Sequence, residues 1–189
     1  MNLLIIDNYD SFTYNLVQII EEHNYCNFSV IKNDNISIET VTGYDKILFS
    51  PGPGIPSEAI IMNKIIEKYH KNKSILGICL GHQAITEYFG GNLYNLPKVN
   101  HGVKQKIKII DNEDYLFKNL PPDIYAGLYH SWAVSQNNFP DCLKVTATNY
   151  DGIIMAITHK YFDIKGIQFH PESIMTDFGK QIIYNWLEN

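Results

Sequence analysis

A chain of 189 residues with 45% hydrophobic and 19% charged residues has the size and composition of one globular domain, large enough to bury a core without a disulfide or metal staple. Its formal net charge is -5 and every basic residue is lysine, so the guanidinium forks that read phosphates and guanine edges are missing and no nucleic-acid partner is expected. Three cysteines, odd in number and far apart at Cys26, Cys79 and Cys142, argue against a disulfide framework and for a reducing, cytoplasmic setting.

The first apolar run, Leu3 to Ile6, is cut short by Asp7. That is too brief for a signal-peptide core, and no run approaches the ~20 residues of a membrane span, so no membrane partner is expected either. Strands are predicted at Leu3 to Ile6, Phe28 to Ile31, Ile47 to Phe49 and Ile75 to Ile78. Helices fall between them: one from a Ser11 cap to about Glu22, one from about Pro56 to Tyr69, and one from Cys79 to Phe89, where Gly90-Gly91 ends it. Such alternation predicts an α/β fold with an open, mostly parallel twisted sheet and helices on both faces.

Beyond Leu93 the long helices stop. Strands are predicted at about Gln105 to Ile110, Ile124 to Tyr129, Leu143 to Thr148, Ile153 to Thr158 and Ile164 to Gln168, a mixed or antiparallel extension of the sheet. Lys104, Lys106 and Lys108 alternate with other residues as on a strand with one wet face, and the other scattered lysines read as solvated surface. A closing helix from about Thr176 to Leu187 sets Phe178, Ile182, Ile183 and Trp186 at core spacing. With no repeat, linker or low-complexity tract, residues 1–189 read as a single domain.

The segment from Ser74 to Gln83 reads as a buried strand, a sharp turn at Cys79 flanked by Gly77 and Gly81, and the start of a helix. That is the layout of a nucleophile elbow: small residues let strand and helix approach while the turn presents the thiol. The helix amino terminus favours an anion, which suits a thiolate at neutral pH. Cys26 and Cys142 have no such setting. Ser50-Pro51-Gly52-Pro53-Gly54 follows another strand. Each proline removes an N–H and stiffens the path, leaving Gly52 and Gly54 as donors for an oxyanion hole completed by the N–H of Leu80. Both loops belong at the carboxyl ends of strands, where ligands gather in open parallel sheets.

His170-Pro171-Glu172 follows the last strand, and proline biases His170 toward extended backbone, so residues 170 and 172 share a face. His170 then serves as base toward Cys79, with Glu172 orienting and stabilising the imidazole. His82, His101, His130 and His170 are a conceivable ligand set with Cys79, but paired-cysteine and H-E-x-x-H spacings are absent and no metal or cofactor is expected; nor is there a phosphate-binding glycine loop.

With these residues in view, the sequence resembles the class I (triad) glutamine amidotransferases of flavodoxin-like fold, and among them the small subunits of anthranilate synthase and of para-aminobenzoate (aminodeoxychorismate) synthase. The resemblance spans essentially the whole chain: Leu4 to Thr13, Ser50 to Gly54, Gly77 to Gln83, Tyr129-His130-Ser131 and Gln168 to Ser173. It implies that Cys79 attacks the amide carbon of L-glutamine, that His170 and Glu172 complete the triad, and that glutamine is held by Gly52, Pro53, Gly54, Leu80, Gln83, Ser131 and Trp132. Gln83 is also credible on its own terms, one helical turn after Cys79 and on the same face.

The implied partner is a chorismate-binding synthase large subunit that accepts the ammonia, with anthranilate for tryptophan as the expected product. Para-aminobenzoate for folate, or a free-standing γ-glutamyl cysteine hydrolase, are the alternatives. No synthase domain follows in the sequence, so the acceptor chemistry is expected on another polypeptide. The segment matching Asn8 to Thr13 lies near the family's subunit interface. The chain departs from many relatives at Leu128, Trp132 and Asn100-His101-Gly102-Val103, all outside the triad.

Overall fold

The computed structural model describes residues 1–24 and 26–189. Among the described residues nine strands form one sheet: β1 (Asn2–Asp7), β2 (Asn27–Lys32), β3 (Lys46–Phe49), β4 (Ser74–Ile78), β5 (Leu93–Ile109), β6 (Asp123–Val134), β7 (Leu143–Asn149), β8 (Ile154–His159) and β9 (Ile164–Ile167). The order is β2-β1-β3-β4-β9-β8-β7-β5-β6. From β2 through β9 the pairings are parallel, and from β9 outward through β6 they are antiparallel. The parallel half thus has a flavodoxin-like order, with β9 returning from the far end of the chain as its fifth strand.

Period-two alternation decides which helix covers which face. Leu3 and Ile5 of β1 pack in one core with Leu16 and Ile20 of α1 (Thr13–His23) and with Ile182, Ile183 and Trp186 of α4 (Gly179–Glu188). Leu4 and Ile6 pack in the other with Met62, Ile65 and Ile66 of α2 (Ile60–Tyr69) and with Ala84 and Ile85 of α3 (Leu80–Tyr88). A strand buried on both faces reads as a continuous apolar run, as the first one does. No helix among the described residues is long and apolar enough to cross a membrane.

Several elements differ from their sequence-based expectation. Strand β5 begins at Leu93 rather than near Gln105, because register shifts between Asn95 and Asn100 and between His101 and Val103 let Pro97 and Gly102 sit in a strand they would otherwise break. Ser11 is not the α1 cap: Phe12 holds that position without a side-chain cap, and Asp10 Oδ1 accepts from the Phe12 N–H at 2.7 Å. Pro56–Glu58 forms a 3₁₀ turn before α2. Helix α4 starts at Gly179, not Thr176, because Thr176 is engaged elsewhere: its hydroxyl donates to the His170 carbonyl at 2.5 Å and accepts from the Gly127 N–H at 3.0 Å.

Lysine is not uniformly a surface residue here. Lys104, Lys106 and Lys108 are exposed on β5 as expected, but Lys46 and Lys165 are buried. Both lie on strands of the parallel half, where only a polar partner makes a buried ammonium tolerable. Lys46 donates to the Trp186 carbonyl at 2.7 Å, and Lys165 pairs with buried Asp114 at 2.8 Å. Burial pushes the Lys46 pKa down.

Candidate active site

The turn between β4 and α3 is as tight as its glycines suggest. A Cβ on Gly77 would lie 2.4 Å from the Gly81 carbonyl carbon and oxygen, and one on Gly81 would lie 2.6 Å from Phe49 Cβ, so neither position admits a side chain without backbone movement. Cys79 sits at the helix N-cap with φ 51° and ψ −98°, a costly conformation for a residue with a Cβ. Its N–H is tied to the Ile167 carbonyl at 2.8 Å, and its own carbonyl accepts from Gln83 N at 3.1 Å. Strain held in place by neighbours on both sides is a mark of a functional turn.

The Ser50–Gly54 loop lies across from it. Asn8, the residue after β1, clamps this loop: its N–H donates to Ser50 Oγ at 2.9 Å, and its side-chain amide donates to the Ser50 carbonyl at 2.9 Å. Gly52 has Asn8 on one side and Leu80 on the other, each closer than a Cβ would allow. Gly52, Pro53, Gly54, Cys79, Leu80, Gln83, Ser131 and Trp132 line one cavity of about 140 Å³, together with Tyr129 and His130. A cavity of that size holds a chain of only a few heavy atoms, which fits a small amide side chain better than a peptide.

His170 and Glu172 stand at the end of β9, as the tripeptide predicts. Both are buried, and His170 Nδ1 meets Glu172 Oε1 at 2.7 Å. Burial weighs most heavily against a charged imidazole. The Cys79 thiol and the Glu172 carboxylate outweigh it, and His170 is raised well above the usual histidine value. Nε2 is the ring nitrogen left over from the Glu172 contact, and the side-chain contact with Cys79 is the largest of the influences that raise the imidazole. Neither His170 nor Glu172 lines the cavity, and Glu172 touches the ring of His170 from the side of Nδ1.

Five residues not nominated as site residues from the sequence also belong here. The Tyr129 ring packs edge-on against His170 with centroids 4.9 Å apart, and Phe12 packs on both Tyr129 at 5.5 Å and His170 at 6.3 Å. His130 Nδ1 contacts the Trp132 carbonyl at 2.8 Å, and burial holds its pKa down at about 4. His82, fully buried behind the turn, is lowered to about 3 by desolvation and by the charge His130 would carry, so both rings are neutral at pH 7. Gln168 donates to Cys79 Sγ at 3.5 Å. All five lie within or beside the motifs that carry the resemblance, but nothing in residue type or spacing distinguishes them from core.

His101, considered above as a conceivable ligand, lies on β5 with its ring packed edge-on against Tyr129, 5.8 Å between centroids. Among the described residues no three His, Cys, Asp or Glu side chains converge in a way that could hold a metal ion. Two of the departures from relatives prove to be one feature, since Val103 and Leu128 are cross-strand partners on β5 and β6.

Comparison with known proteins gives the chain a family. The family model described as glutamine amidotransferase class-I matches residues 4–189. A putative anthranilate synthase component II of Haemophilus influenzae is 48% identical over 187 residues, covering 99% of this chain and 96% of its own. The aminodeoxychorismate/anthranilate synthase component 2 of Bacillus subtilis is 42% identical, covering 98% and 95%. Among solved structures, a putative GMP synthase subunit from Thermoplasma acidophilum superposes with a TM-score of 0.89 at 26% identity, covering all of this chain and 92% of that one.

Proposed function

The chain belongs to the class-I glutamine amidotransferases, and on that premise we propose that it is the glutamine-hydrolysing component of an anthranilate synthase, working as a single domain of residues 1–189 in the cytoplasm. The observation that carries the reading is the joint placement of a strained Cys79, a 2.7 Å His170–Glu172 pair and a glycine-lined cavity of about 140 Å³. Cys79 Sγ attacks the side-chain amide carbon of L-glutamine. The N–H groups of Gly52, Gly54 and Leu80 receive the negative charge that develops on the amide oxygen, where loss of one donor typically costs about 10²–10³ in rate.

The imidazolium of His170 then protonates the departing nitrogen, which leaves as ammonia while a glutamyl thioester remains. Water, deprotonated by the same imidazole, attacks the thioester carbonyl, and glutamate leaves as the thiolate is restored. Glu172 keeps the ring in one orientation and balances its charge through the cycle. Gln83, Ser131 and Trp132 hold the amino-acid end of the substrate, a role supported by their place in the cavity wall.

Ammonia released into water would be protonated and lose its nucleophilic lone pair. It must therefore pass directly to a partner, a chorismate-binding large subunit that aminates chorismate. The Bacillus subtilis relative is named for both aminodeoxychorismate and anthranilate synthesis, but the Haemophilus influenzae relative and others are named for anthranilate synthesis alone, which supports anthranilate as the product. Cys79→Ala, assayed with the large subunit, chorismate and either nitrogen source, tests the reading. Product formation from glutamine should disappear while formation from ammonium salts persists, and retained glutamine activity would overturn it. Glutamine turnover by the isolated chain should be weak and should rise when the partner and chorismate are added.

A further inference from the structure

Gln168 is a fully buried side chain one residue beyond β9, fixed in the sheet by its own N–H to the Met155 carbonyl at 2.9 Å. Its amide could face either way on shape alone, because carbonyl oxygen and amide nitrogen are nearly isosteric. The neighbours remove that freedom. The Trp132 backbone carbonyl accepts and cannot donate, so Gln83 must turn its Nε2 toward it, at 3.0 Å. The same Gln83 nitrogen lies 3.1 Å from Gln168 Oε1, which leaves Gln168 Nε2 facing the Cys79 sulfur at 3.5 Å. A run of obligate roles, from a backbone carbonyl through two amides, ends in a donor aimed at the thiol.

We propose that Gln168 is a further catalytic residue, whose side-chain N–H holds the Cys79 sulfur as a thiolate and fixes its line of attack. A thiol is a weak acceptor and a thiolate a strong one, so a buried N–H pointed at sulfur favours the ionised form. Gln168 gives the sulfur a donor of defined geometry on a side apart from the imidazole of His170, which acts on it as well. The relay also ends in the cavity wall, since Gln83 and Trp132 both line it. Burying an amide is costly unless each of its polar atoms is matched, and here the acceptor is matched by Gln83 and the donor by sulfur.

The inference rests on Cys79 as the nucleophile but is tested without substrate. Alkylation of Cys79 by iodoacetamide, followed on the intact chain by peptide mass spectrometry across about pH 5–9, reports the thiolate fraction, with Cys26 and Cys142 as internal references. Gln168→Met keeps the volume and removes the donor. Its Cys79 alkylation should slow about tenfold at neutral pH, with the midpoint of the pH profile displaced upward by about one unit. If that variant does not fold, Gln168→Leu removes the donor without adding a charge beside the sulfur, and the same upward displacement is expected. An unchanged midpoint in a folded variant overturns the role of Gln168. It leaves the nucleophile assignment standing, because that depends separately on the fate of glutamine turnover in Cys79→Ala.

Discussion

Replacing Glu172 by Gln removes one charge and almost nothing else, since the amide oxygen can still accept from His170 Nδ1 in place of Oε1, now 2.7 Å away. What disappears is the attraction between carboxylate and imidazolium. Both side chains are buried, and two unit charges about 4 Å apart at an effective dielectric near 20 attract by ~4 kcal/mol. Retaining a neutral hydrogen bond, about half as strong as a charge-assisted one, returns part of this and leaves a net loss of roughly 2–4 kcal/mol in the imidazolium form. Catalysis passes through that form, so kcat for glutamine hydrolysis should fall roughly 30- to 1,000-fold. KM should change little, because Glu172 does not line the glutamine cavity. Glu172 is also one of the groups holding His170 raised, so the imidazole should discharge at lower pH in the variant and the alkaline limb of the pH–rate profile should move down. Glutamate release with the partner present measures all three. A loss under about threefold, or one confined to KM, would refute the assignment of Glu172 as the charge behind the base.

Gly77→Ala drives a methyl group into the Gly81 backbone, 2.4 Å away, and neither strand β4 nor the α3 terminus can yield without moving Cys79; a loss of ~3 kcal/mol or more in urea unfolding is expected, and one below about 1 kcal/mol would mean the turn is softer than its contacts imply. His82 and His130, held at about 3 and about 4 in the fold against an ordinary 6.5, take up protons more readily when unfolded. Their contribution is therefore complete well above pH 6.5 and is lost as pH falls through it, by about 1.4 kcal/mol each between roughly pH 7.5 and 5.5. His170, raised rather than lowered, works in the opposite sense, so the test is by difference: His82→Met should remove about 1.4 kcal/mol of that acid sensitivity in paired unfolding curves, and an unchanged dependence would count against it. Asp114→Ala strands the buried Lys165 ammonium and should cost about 3–5 kcal/mol, whereas Lys165→Met combined with Asp114→Leu should recover most of it; equal losses in the two would show that packing rather than charge is at stake.

Much of the site was legible in the sequence because each signal was local. A nucleophile elbow needs small residues within two positions of Cys79, an oxyanion loop needs glycine N–H groups between prolines, and an orienting carboxylate two residues from His170 shares its face in extended chain. Covalent geometry imposes each requirement over a few neighbouring residues, so sequence alone can state it. The first core followed in the same way, since apolar runs and period-two alternation assign Leu3 to one face and Leu4 to the other.

Tertiary structure decided whatever depends on residues far apart in the chain. That Lys165 is buried follows from Asp114, 51 positions away. That Thr176 fails to start a helix follows from Gly127, 49 positions away, whose N–H engages its hydroxyl. The orientation of Gln168 is fixed through Gln83 by a carbonyl on β6, and only β9 pairing beside β4 brings that amide to sulfur. The chain determined by itself which chemistry it carries, because reactive groups announce themselves in short motifs. The fold decided how those groups are held, because the field and hydrogen bonds at one atom are sums over partners that no short window of sequence contains.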